Sequence, residues 1–87
     1  MLATKKQDWK TATEFLEKAI HQNRQYQLPW DEAKSFYELG MMAMGRDREG
    51  DRESAHEKFD CALEIFERIG AKKDVEKVLS KKELLAK

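Results

Sequence analysis

The chain is poor in the residues that cross-link small domains. Its single cysteine, Cys61, excludes an intrachain disulfide, and its two histidines and one cysteine form no cluster with the spacing of a structural zinc site. One proline and four glycines leave long stretches without a backbone break. Val, Ile and Thr together supply only eight residues, too few for a sheet-rich fold. Leu, Ile, Val and Phe sum to 17 of the 87 residues, near the level of disordered chains. Disorder also requires a high net charge, whereas here 17 basic side chains balance 17 acidic ones. No apolar run approaches the roughly 20 residues of a membrane span, and no signal-peptide core follows Met1. A soluble, cytoplasmic protein with no membrane partner is expected. It must fold by packing helices, by pairing with a neighbour, or by both.

What is abundant selects the fold class. Ala, Glu, Leu, Lys, Arg, Gln and Met, which lose little rotamer freedom in a helix, account for 53 of the 87 residues. The expectation is an all-α chain forming one small domain, with little room for an enclosed active site.

A period near 3.6 divides the chain into four helices, at about 7–27, 30–45, 52–69 and 73–86. In the first, Trp9, Ala12, Leu16, Ala19, Ile20 and Asn23 share a face flanked by Phe15. Leu28-Pro29 ends it, and Pro29 then suits the first turn of the second helix, where Asp31 and Glu32 complement the positive end. Residues 46–50 read as a polar turn, with Asp51 as N-cap of the third helix. Ala55, Phe59, Ala62, Leu63, Phe66 and Ile69 form the third stripe, and Gly70 stands where a left-handed C-terminal cap belongs. The fourth helix carries Val75, Val78, Leu79 and Leu85. Connections this short imply antiparallel neighbours.

A shift of 43 residues aligns Ala12-x3-Leu16-x2-Ala19-Ile20 with Ala55-x3-Phe59-x2-Ala62-Leu63. Small residues on such a face let two helix backbones approach while the large ones fill the grooves. The same shift sets the second helix opposite the fourth, where the apolar match largely fails, as in a polar terminal cap. The pair Leu39-Gly40, the turn Gly50-Asp51 and the run Ala55-x3-Phe59-x2-Ala62-Leu63 resemble a tetratricopeptide repeat. Leu28-Pro-Trp-Asp-Glu-Ala33, Tyr37-Glu-Leu-Gly40 and residues 62–71 are similar to the C-terminal repeat arrays of bacterial and archaeal signalling ATPases, nucleotide cyclases and transcription regulators. Two departures stand out: the stretch between Gly40 and Ala55 is about three residues longer than usual, and Ala43 and Phe36 stand where Tyr and Trp are common. The resemblance implies an antiparallel helix-turn-helix solenoid. One complete repeat would lie between two partial ones, in a piece or terminal cap of a longer array that binds proteins as a scaffold.

Chemistry-bearing motifs are scarce. There is no phosphate-binding glycine loop, no His-Glu-x-x-His and no nucleophile elbow. His56 and Asp60 could share a helix face beside Cys61, but no third group converges on them. His21 and His56 read as solvated and Cys61 as a half-buried small hydrophobe. Glu14/Glu17 and Glu64/Glu67 read as surface pairs. No catalytic residue, metal or cofactor is expected. Charge is uneven: residues 1–27 carry +2, 28–50 carry −2, 51–70 carry −3 and 71–87 carry +3. Lys72, Lys73, Lys77, Lys81, Lys82 and Lys87 could attract phosphate, but they lack interleaved aromatics and are diluted by Asp74, Glu76 and Glu83, so nucleic acid is disfavoured as a partner.

The second helix is the most informative. Ala33, Phe36, Leu39, Gly40 and Ala43 form its core stripe. Trp30, Tyr37, Met41 and Met44, with Lys34 alongside, form another about a quarter turn away. Either this second stripe is ordinary core covered by the first or fourth helix, or it lines a partner-binding groove. The family resemblance puts Lys34, Tyr37, Met41 and Met44 in the groove, suited to a protein or peptide ligand. Three functions therefore compete: an interaction module without catalytic activity, a free-standing helical homodimer with an assembly role, and a nucleic-acid adaptor using the lysine-rich helix. The first helix is expected to present the apolar, partner-seeking end and the fourth the polar end.

Overall fold

A computed structural model of the chain describes residues 6–46 and 50–86, with side chains from 10 to 46 and 50 to 85. All the regular structure among them is helical: α1 (Lys6–Gln25), α2 (Pro29–Arg46), α3 (Asp51–Ile69) and α4 (Lys72–Ala86). The expected four helices are present, each boundary displaced by at most two residues. The side chain of Trp9, expected on the inner face of α1, and residues 47–49 of the expected polar turn lie outside what is described.

Each helix stops for a local reason. At the end of α1 the Leu28 amide donates to the Asn23 carbonyl at 2.8 Å and the Gln27 amide to Arg24 at 3.2 Å. This is a Schellman cap. Its left-handed position is held by Gln27, with φ of 56°. The end of α3 repeats the pattern 43 residues later. Ala71 donates to Phe66 at 2.9 Å and Gly70 to Glu67 at 3.2 Å, with Gly70 at φ 77°. Pro29 opens α2 directly, as its fixed φ and missing donor allow.

The start of α3 corrects the expectation for Asp51. The N-cap is Gly50, and no side chain caps the helix there. Asp51 is instead the first helical residue and is buried, gripped by two bonds from Arg46 at the end of α2. Nε donates to Oδ2 at 3.1 Å and Nη2 to Oδ1 at 2.9 Å. This fork ties the two ends of the α2–α3 connection together.

Packing runs along the chain: α1 on α2, α2 on α3, α3 on α4. Phe59 and Val78, fully buried, stand at the centre of the larger core, with Ala33, Ala55 and Ala62 around them. A smaller cluster joins Leu16 and Ile20 of α1 to Leu39 of α2. Across the same interface Arg24 pairs with the buried Glu32 at 2.9 Å. Lys82 of α4 pairs with Asp60 of α3, an ion pair between neighbouring helices.

Three apolar expectations need correction. Ile69 and Leu79 are exposed, and Ile65 is buried in their place. Helix α3 lies between two neighbours, so its buried arc is wide enough to include Ile65, but Ile69 is on its last turn, beyond them. Helix α4 has one principal neighbour, so its buried arc is narrow and Leu79 falls outside it. Phe15 beside the α1 stripe is also exposed.

Candidate functional site

The residues singled out on α2 do not stay together. Trp30, Lys34, Tyr37 and Glu38 line a cleft of about 250 Å³, whose other wall is Asp74, Lys77 and Val78 of α4 and whose back is Phe66 of α3. Met41 and Met44 are not among its lining residues. They pack, half-buried, against the main core. The second stripe of α2 is therefore divided: its first two turns open onto the cleft, with Tyr37 also touching the core, and its last two join the core alone.

Aromatic rings give the cleft its shape. Tyr37 lies against Phe59 with centroids 5.7 Å apart, and Trp30 meets Phe66 edge-on at 6.5 Å. The Trp30 indole donates from Nε1 to Asp74 Oδ2 at 3.0 Å, a bond between residues 44 positions apart that docks α4 onto α2. Trp30 nevertheless keeps 42% of its surface exposed. Its ring is held at one edge and open over the rest.

Two ammonium groups stand over these rings. Lys34 Nζ is 5.4 Å from the Trp30 centroid, and Lys77 Nζ is 5.3 Å from the Tyr37 centroid. Each favours the negative face of a ring. Glu38 and Asp74 bring two carboxylates to the same cleft, so its rim alternates in sign. Burial pushes the Tyr37 phenol above its ordinary pKa. An apolar floor with a few polar groups at the rim suits an adaptable peptide contact.

The remaining chemistry-bearing residues are dispersed. His21 is exposed and His56 half-buried, and among the described residues no three His, Cys, Asp or Glu side chains converge as a metal site would need. Glu14, Glu17, Glu64 and Glu67 are all exposed. Cys61 is half-buried. Its thiol is pushed up chiefly by desolvation, which nearby Lys58 partly opposes. Among the described residues no helix is long and apolar enough to cross a membrane. No family model matches the chain, and neither does any curated protein or solved structure.

Sequence reasoning missed Asp74 and Lys77 as cleft residues. By sequence Lys77 belongs to the basic helix and Asp74 to the residues diluting it. A signal was available: under the 43-residue shift Asp74 aligns with Asp31 and Lys77 with Lys34, so α4 repeats two polar positions of α2.

Proposed function

We propose that the chain is a non-catalytic protein–protein interaction module of the tetratricopeptide type, a short helical solenoid that holds a peptide in the cleft between α2 and α4. Three features support the solenoid reading: consecutive helix packing, matched Schellman caps 43 residues apart, and the close approach of Gly40 to the large residue of the Ala55-x3-Phe59-x2-Ala62 face. The observation that carries the function is Trp30, anchored to Asp74 at one edge yet exposed along the cleft. A large, rigid aromatic side chain held in this way is the kind that dominates recognition surfaces.

The test begins with a random peptide library selected on the immobilised 87-residue chain, followed by calorimetric titration of the winners. Trp30→Ala and Lys77→Glu should each weaken binding at least about tenfold, or about 1.4 kcal/mol, while the chain stays helical. Binding that survives both substitutions sinks the cleft reading.

A further inference from the structure

Four charged side chains line the cleft between α2 and α4, and two contacts fix their order along it. Trp30 bonds to Asp74, and Tyr37, further along α2, lies under Lys77, further along α4. Both helices therefore run the same way, with Asp74 level with Trp30. At 1.5 Å per residue, Lys77 stands about 4.5 Å beyond that level, Lys34 about 6 Å and Glu38 about 12 Å. The order along the cleft is carboxylate, two ammonium groups side by side, carboxylate.

None of these four charges is taken up by another. Among the described residues the ion pairs join Arg24 to Glu32, Arg46 to Asp51 and Lys82 to Asp60. Lys34 and Lys77 rest on ring faces, and Asp74 accepts the indole N–H. Lys34, Glu38 and Lys77 are exposed. The four charges sum to zero, so the rim offers a ligand a pattern and not a net field. A run of acidic residues would be repelled by Asp74 and Glu38, and a run of basic ones by Lys34 and Lys77.

We propose that the cleft selects an extended segment with the order basic–apolar–acidic–apolar–basic, a specificity that rests on the reading that the cleft holds a peptide. The central carboxylate meets Lys34 and Lys77, and the two flanking cations meet Asp74 and Glu38. Spacing favours an extended chain. Alternate side chains of a strand lie about 6.6 Å apart on one side, close to the step of about 6 Å between successive charge levels of the rim. The two residues between them point the other way, onto the floor of Trp30, Tyr37, Phe66 and Val78, and are therefore apolar. A cleft of about 250 Å³ is too small to seat a helix roughly 10 Å across. The pattern reads alike in both directions, so charge alone does not orient the segment.

The test titrates the 87-residue chain with end-blocked Lys-Leu-Glu-Leu-Lys and its isomer Lys-Leu-Lys-Leu-Glu, followed by calorimetry and by the Trp30 indole N–H resonance. The two peptides share composition and net charge, so only order differs. The first should bind at least about tenfold more tightly than the second and move the indole signal. In the double variant Lys34→Glu with Lys77→Glu the preference should pass to Lys-Leu-Lys-Leu-Lys, a reversal that loss of structure would not produce. The isomer comparison uses the unaltered chain and stands even if that variant folds poorly. Isomers bound equally, or library peptides that move the Trp30 signal yet lack the alternation, overturn the pattern and leave the cleft as a peptide site. If no peptide moves the Trp30 signal, both readings fall.

Discussion

The ring of Phe59 rests directly on Gly40. A β-carbon at Gly40 would stand 2.6 Å from Cε1 and 2.7 Å from Cδ1 of that ring. Phe59 is fully buried and braced by Tyr37, so it has little freedom to yield. Glycine inside a helix costs about 1 kcal/mol relative to alanine, and here that cost permits two helices to touch. Gly40→Ala should therefore destabilise the chain by about 1–2 kcal/mol despite its better helix propensity, because overpacking outweighs the gain. Chemical denaturation measures this, and adding Phe59→Leu to Gly40→Ala should recover part of the loss by making room.

The two Schellman caps make opposite predictions. Gln27 adopts the left-handed conformation without glycine's freedom, so Gln27→Gly should stabilise the chain by about 0.5–1 kcal/mol. Gly70→Ala should destabilise it by a similar amount. Melting temperatures of both variants decide the matter, and a stabilising Gly70→Ala would contradict the cap.

Asp51→Ala should cost about 1–3 kcal/mol, because it removes both bonds of the Arg46 fork at a buried position. Arg46→Lys should lose part of the same stability, since a lysine cannot grip both carboxylate oxygens in that planar geometry. Urea unfolding of both variants against the parent chain is the check. An Asp51→Ala variant as stable as the parent would reduce the fork to a surface contact.

Tyr37 and Met41 should separate. Tyr37 touches both the cleft and Phe59, so Tyr37→Ala should lower stability by about 1–3 kcal/mol and also weaken peptide binding. Met41 packs on the core away from the cleft lining, so Met41→Ala should lower stability alone. Equal loss of affinity in both would mean that the whole second stripe serves binding.

The raised pKa of Cys61 has two consequences. Its thiol should react with iodoacetamide more slowly than a thiol in the denatured chain at the same mildly alkaline pH. The protonated thiol is favoured by the fold, so its stabilising contribution is present below the unfolded thiol's pKa and lost as pH rises through the folded value. Cys61→Ser should flatten that part of the stability–pH curve.

Much of the architecture was legible before any coordinates, because its causes act over a few residues. Helix-forming composition, Pro29 at the opening of α2 and Gly70 beyond α3 each depend on backbone stereochemistry within about one turn. The 43-residue shift was equally plain, and the two helix caps at Gln27 and Gly70 lie 43 residues apart. Asp51 shows the limit of such reasoning: a good N-cap by type, it is drawn into the fork from Arg46, and the cap falls to Gly50.

The sequence by itself determined four helices, their stops and most of their inner faces, since periodicity and local hydrogen bonding are written into neighbouring residues. Only the tertiary structure decided how wide each buried arc would be, burying Ile65 on the doubly packed α3 and exposing Leu79 on α4. It also decided that Trp30 meets Asp74 across 44 positions and that, of Tyr37 and Met41, one turn apart and both packed on the core, only Tyr37 also lines the cleft. Those outcomes depend on the rise, angle and separation of whole helices, which no window of adjacent residues contains.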